Sequence, residues 1–194
     1  MALPAESSLL RSARTELADY AGRAAGTQRE LAGAFLTTLN THGESALRKD
    51  GPPEHLTASF VVFSPAGDTV LLNFHRKADA WGHFGGHLEP ADGSLREAAQ
   101  RECAEESGLT VRSATGAIAE VHAHDLGSGF SRCQRHLDVV FTGVADPSAA
   151  FRASDESVEL AWFPVSALPE RIMPDLPARV PMLAQAVRAL RDHS

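Results

Sequence analysis

Three glutamates on one face of a short helix-forming segment constrain this chain more than any other feature. The stretch 85–109, GGHLEPADGSLREAAQRECAEESGL, opens on a glycine pair and turns at Pro90-Ala91-Asp92-Gly93. From Leu95 it meets no Pro or Gly before Gly108, which is placed to end a helix in a left-handed cap. Ser94 followed three residues later by Glu97 has the form of a capping box, which satisfies two orphan backbone donors and sets the helix start. At about 100° per residue, Glu102, Glu105 and Glu106 fall within an arc of about 100°. Like charges so close destabilise an isolated helix, and a hard divalent cation, which takes oxygen ligands, offsets them. A solvated acidic face is the commoner origin of such a cluster. Two features favour the metal. Arg101 lies four residues from both Glu97 and Glu105, where it can brace the carboxylates from the side. Glycines also flank the segment at both ends, which a solvated helix does not need.

The run Arg101-Glu102-Cys103-Ala104-Glu105-Glu106-Ser107-Gly108-Leu109 resembles the second half of the Nudix box, G-x5-E-x7-R-E-U-x-E-E-x-G-U with U apolar, at every specified position. The first half departs from it. Aligned on Gly86, Asp92 takes the place of the box glutamate, and eight residues rather than seven separate it from Arg101. One extra residue in the turn, with Asp92 standing in for glutamate, accounts for the difference. The run HLTASFVVFS…VLLNFHRK…W…GGHLEP is similar to a Nudix subgroup whose box opens with Gly-Gly-His, although Phe84 stands where Pro is usual. The resemblance implies an α/β fold, a mixed sheet sandwiched between helices, in a Nudix hydrolase domain over residues 51–194. An N-terminal helical extension over residues 1–50 precedes it.

The rest of the chain fits that outline. Leu9, Leu10, Ala13, Leu17 and Tyr20 recur at helical spacing, and Leu31, Phe35 and Leu39 mark a second helix that Thr27 would cap. We expect this pair to be packing or dimerising structure, the latter making a homodimer. Gly51-Pro52-Pro53 marks a linker over 43–55. Strands are expected at 56–64 and 69–75 around the turn Pro65-Ala66-Gly67-Asp68, and at 116–124, 136–144 and 159–163. A loop carrying Arg76, Lys77 and Trp81 leads to the glycine pair. A last helix at 178–192 places Val180, Leu183, Val187 and Leu190 on one face. The formal charge of −7 gives no electrostatic footprint for a nucleic acid polymer. No apolar run is long enough to span a bilayer, so no membrane partner is expected. The start of the chain lacks a secretory signal, and Cys103 and Cys133 form no zinc-type spacing, so a reducing, cytoplasmic setting is expected.

The resemblance implies Mg²⁺-dependent hydrolysis of a diphosphate linkage in a nucleotide or related nucleoside-diphosphate-linked small molecule, with Mn²⁺ able to substitute. Glu105 and Glu106 are then the best metal ligands, Glu102 a third ligand or the general base, and Arg101 the residue that orients them. Glu156, beside Asp155 in a polar loop, is the second candidate for the base, because some Nudix enzymes use a loop glutamate outside the box. Gly85 and Gly86 can bring backbone close to metal or phosphate. Arg76 and Lys77 are candidates for substrate phosphates, against a plain solvated pair, and Trp81 for stacking on a base, against packing. His83, His87, His122, His124 and His136 invite a zinc reading. No HxxxH or Cys–His spacing supports it, Cys133 is isolated, and one carboxylate-rich site explains the chain better. The alternative function is a non-catalytic Nudix-like domain that binds or senses a nucleotide, which would have no need to keep these acids. An isoprenoid diphosphate isomerase of related fold wants a catalytic cysteine, and neither cysteine is well placed for that.

Overall fold

The β-branched and aromatic runs on either side of the turn at 65–68 become strands β1 (Glu54–Phe63) and β2 (Thr69–His75). The computed structural model describes residues 6–126, 133–153 and 157–191. Before β1 come α1 (Ser8–Arg23), α2 (Gly26–His42) and a 3₁₀ turn (Gly43–Leu47). After β2 come β3 (Ala80–Gly82), β4 (Phe84–His87), α3 (Leu95–Ser107), β5 (Arg112–Ser113), β6 (Glu120–Asp125), β7 (Arg135–Val144), β8 (Ser157–Pro164) and α4 (Leu176–Arg191). The described strands form one eight-stranded mixed sheet. β1 and β7 run parallel along their whole length, from Glu54 opposite Arg135 to Phe63 opposite Val144. The other pairings are antiparallel.

β1 explains the layering. Successive side chains point to opposite faces of a sheet, and Leu56, Ala58, Phe60 and Val62 join Leu17, Phe35, Leu39, Leu95 and Ala99 from α1, α2 and α3 in one core. Val61 and Phe63 face the other way, into a second core with Val70, Leu72, Val140 and, from α4, Val180, Leu183 and Val187. Fully burying one such side chain contributes about 1.5–3 kcal/mol, so both layers are tightly held. The sheet is sandwiched between helices, as expected. On the second face, however, the first half of β1 is polar: His55, Thr57 and Ser59 precede Val61.

Several expectations need correction. Of the two roles expected for α1 and α2, packing is the one seen, for their apolar faces belong to the same core as the sheet. Gln28 of α2 even extends the sheet edge, its Nε2 donating to the Val121 carbonyl (3.1 Å) and its Oε1 accepting from the Val121 N–H (2.9 Å). Thr27 does not cap α2, because the helix starts at Gly26 and Ala25, with no capping side chain, holds the cap position. The 43–55 segment is no free linker, since its 3₁₀ turn buries Ala46 and Leu47. Leu190, expected on the buried face of the last helix, is 40% exposed. The strand expected from 116 begins only at Glu120. The glycine pair, expected to follow a loop, lies within β4, hydrogen-bonded to β1 with Gly85 opposite Ser59 and Gly86 opposite Ala58.

Candidate active site

Helix α3 starts where Ser94 predicts. The Ser94 hydroxyl accepts from the Glu97 N–H (3.1 Å), and the Glu97 carboxylate reaches back one residue further than in a standard capping box, to the Gly93 N–H (3.0 Å). A third donor of this first turn, Leu95 N–H, goes to Glu16 of α1 at 3.2 Å. Gly108 closes the helix with φ 69° and its N–H on the Ala104 carbonyl (2.8 Å). Between these caps, Leu95, Ala98, Ala99 and Cys103 are buried in the core, which turns Arg101, Glu102 and Glu105 away from it. Burial pushes the Cys103 thiol up to about 12, so it packs rather than reacts.

Arg101 organises the acid face. Its Nε and Nη2 grip the two oxygens of Asp92 at 3.0 and 3.1 Å, a bidentate pair of the kind guanidinium favours. Nη2 also donates to the His87 carbonyl at 3.0 Å, while Nη1 donates to Glu102 (3.0 Å) and Glu105 (3.3 Å). Its hydrogen bonds to Asp92 hold the guanidinium firmly in its charged form against partial burial. Asp92 is itself fixed by the Glu89 N–H at 2.7 Å. The residue that interrupts the box pattern is thus the anchor of its arginine.

The three glutamates differ. Glu105 is mostly exposed, Glu102 is largely covered and Glu106 is buried. Burial raises the pKa of Glu102, with the Arg101 hydrogen bond acting against it. Glu106 accepts from the Gly85 N–H at 3.0 Å. Gly86 lies directly under Glu102: a Cβ there would come within 2.7 Å of the carboxyl carbon. Such a set of carboxylate oxygens, braced by an arginine, suits a hard divalent cation.

The other expected site residues are scattered. Arg76 and Lys77 are exposed in the β2–β3 turn, and among the described residues no hydrogen bond or ion pair joins them to the carboxylates. Trp81 is built into the second core, edge-on to Phe74 and Phe163 at ring distances of 5.4 and 4.8 Å. That is the packing role. Glu156 and Asp155 lie outside the described residues.

One buried carboxylate escaped the sequence altogether. Asp138 on β7 accepts from Thr57 (2.9 Å), Ser59 (2.8 Å) and the His83 ring (3.3 Å). Burial opposes its charge, but these bonds outweigh it and hold the carboxyl well below the usual range. The parity of β1 and β7 was the available signal, since Thr57 and Asp138 are register partners.

With this geometry in place, comparison with known proteins is decisive. The family model of the NUDIX domain matches residues 53–185. The chain belongs to the NUDIX domain family. As a Nudix hydrolase it is an enzyme acting on pyrophosphate bonds. Comparison with curated proteins gives no match. Among solved structures, a NUDIX-family hydrolase from Clostridium perfringens is similar, with TM-score 0.55, 24% identity, and coverage of 70% of this chain and 97% of that one. The dihydroneopterin triphosphate pyrophosphohydrolase of E. coli follows at TM-score 0.53 and 16% identity, over 68% of this chain and 94% of that one. A bifunctional NMN adenylyltransferase/ADP ribose pyrophosphatase from Francisella tularensis, complexed with AMP and a manganese ion, has TM-score 0.52 and 20% identity over 80% of this chain and 49% of that one. Identities this low speak to the shared Nudix fold. The family match begins just before β1, so α1 and α2 are additions to the domain that share its core.

Proposed function

We propose that this Nudix hydrolase cleaves a diphosphate linkage in a nucleotide or nucleoside-diphosphate-linked small molecule, using Mg²⁺ with Mn²⁺ as substitute. The observation that carries this reading is the braced acid face: Glu102, Glu105 and Glu106 on one side of α3, with Arg101 gripping Asp92 and reaching Glu102 and Glu105. The manganese in the Francisella relative supports the metal class. Glu102, Glu105 and Glu106 would hold the cation. When bound, it supplies Lewis acidity toward phosphoryl oxygens and lowers the pKa of water.

The chain's own residues do the rest. The Gly85 N–H fixes Glu106, and Arg101 limits how far Glu102 and Glu105 can swing. The missing side chain of Gly86 leaves room for the Glu102 carboxylate. Hydrolysis bonds a water oxygen to one phosphorus while the bridging oxygen leaves on the other phosphate. A carboxylate takes the water proton, and Glu102 is our first nominee for that base, Glu156 the second. No helix among the described residues is long and apolar enough to cross a membrane.

The test is a phosphate-release screen over nucleoside triphosphates, dinucleotides and nucleotide sugars with Mg²⁺ or Mn²⁺. Glu105→Gln and Glu106→Gln should weaken metal dependence and turnover together, and replacing the true base by Gln should lower kcat about 10²–10⁴-fold. Full turnover in excess chelator would overturn the metal role. A compound that raises the melting temperature yet is never cleaved would instead favour a binding domain.

A further inference from the structure

Three histidines and a cysteine that the hydrolytic site does not use meet on the polar half of the sheet's second face. His55 on β1 lies directly opposite His136 on β7, and His87 at the end of β4 is paired with Thr57 of β1. Their rings form a nearly equilateral triangle, with centroids 5.2 Å (His55–His87), 5.3 Å (His55–His136) and 5.0 Å (His87–His136) apart. Cys133, two residues before β7, brings its Sγ to 4.0 Å from His87 Nε2. One ligand atom from each of the four residues lies within 4.8 Å of all the others. Among the described residues this is the one group of metal-ligating side chains that converges so closely; the three glutamates of α3 do not.

Packing alone does not explain the arrangement. Two of the ring nitrogens, His55 Nε2 and His136 Nε2, are buried with no hydrogen-bond partner. Buried polar atoms are nearly always satisfied, and an orphan is costly. The tautomer of His55 is set from outside: its Nδ1 faces the Pro52 carbonyl at 2.9 Å, an acceptor, so Nδ1 carries the proton and Nε2 the free lone pair. A backbone carbonyl holding the far nitrogen of a histidine is the usual way a metal-ligating ring is oriented.

We propose that His55, His87, His136 and Cys133 form a second metal site, distinct from the carboxylate face, that takes a borderline-soft divalent ion of the zinc class. Three imidazole nitrogens and a thiolate are a zinc-type donor set and a poor one for Mg²⁺, which prefers oxygen. At Zn–N of about 2.0–2.1 Å and Zn–S of about 2.3 Å, tetrahedral geometry sets ligand atoms roughly 3.3–3.7 Å apart, so the cluster closes by side-chain movements of an ångström or less. Binding converts the Cys133 thiol to a thiolate as the metal–sulfur bond forms, and the thiol proton passes to solvent. Four protein ligands fill the tetrahedron, which makes the site structural rather than hydrolytic. It would clamp β1, β4 and β7 together and tie Cys133 to the sheet. β4 is shared with the active site, for Gly85 holds Glu106 and the His87 carbonyl holds Arg101.

The experiment titrates reduced, chelator-stripped full-length protein with Co²⁺ in the presence of excess Mg²⁺, which occupies the carboxylates. Tetrahedral cobalt bound to thiolate gives strong visible absorption and a sulfur-to-metal charge-transfer band in the near ultraviolet. One equivalent should bind and be displaced by Zn²⁺. Cys133→Ser should lose the charge-transfer band, and His136→Ala should weaken binding at least tenfold, whereas Glu105→Gln should leave the spectrum unchanged. Cys133 is only half-buried, so its serine variant keeps the test valid if His136→Ala fails to fold, with circular dichroism as the check. Absence of the band in wild type, or a band that survives Cys133→Ser or disappears with Glu105→Gln, would overturn the second site. Since these outcomes are spectroscopic, they are independent of whether diphosphates are cleaved.

Discussion

At the scale of single residues, Gly86 and Asp92 carry more of the site than their chemistry suggests. A methyl group at Gly86 would meet the flexible end of Glu102 at 2.7 Å. Gly86→Ala should therefore leave the fold intact while displacing that carboxylate, and a misplacement of about 1 Å can cost about 10²-fold in rate. Steady-state kinetics beside a thermal melt separates the two effects; an unchanged kcat would mean that the position of Glu102 is not critical. Gly85→Ala is different in kind, because its Cβ would fall 2.6 Å from the Ser59 Cβ and 2.8 Å from the Ala58 carbonyl, so stability should drop by about 1–3 kcal/mol. Asp92→Asn keeps the shape and removes the charge facing Arg101. The loss of charged hydrogen bonds should cost about 1.5–3 kcal/mol, visible as a lower denaturation midpoint, and an unchanged midpoint would show that Asp92 is no anchor. The sequence exposed Asp92 as the odd residue in the turn, since motif spacing is local. It could not show that Arg101 would be the partner, because that depends on how the chain between them folds.

Elements were legible to different degrees, and range of interaction explains the difference. Helix α3 was readable from its caps because Ser94, Glu97 and Gly108 act within a turn of the residues they serve. α1 and α2 were readable as helices but not as core: periodicity names a buried face, never its partner. β4 was hidden since two glycines carry no strand signal, and the segment is a strand only through its pairing with β1. A zinc reading of the histidines was set aside at the sequence level because it too depends on pairing between strands. His55, His87 and the Cys133–His136 stretch are distant from one another in sequence and meet only once β1, β4 and β7 are in register. The shared core yields a prediction. Removing residues 1–47 would uncover Leu56, Phe60 and Leu95 and leave Val121 without its Gln28 partners. The truncated chain should be insoluble or markedly less stable, as judged by expression and a thermal melt. A truncated domain as stable as the full chain would return α1 and α2 to the status of an appendage.

The molecule as a whole carries an acid sensitivity on its polar face. Burial is the leading cause that pulls His87 and His122 down to about 4 and His136 to about 3, against an ordinary value of 6.5. The folded state thus prefers these rings neutral, while the unfolded chain protonates them near the ordinary value. Above that value neither state binds the extra protons, and the full stability is present. As pH falls below about 6.5 the unfolded chain takes up protons that the native fold refuses, so stability declines progressively toward pH 4. Asp138 works in the same direction in a lower window, because its depressed pKa adds stability that begins to fade only below the ordinary carboxylate range. Denaturation of the chelator-stripped protein at a series of pH values should show a decline beginning near 6.5, separate from the carboxylate-driven loss further down. His136→Gln should make the upper limb shallower and leave the lower one in place. A midpoint that stays flat from pH 7 to 4.5 would mean that the three rings are solvated in the folded chain and protonate freely there.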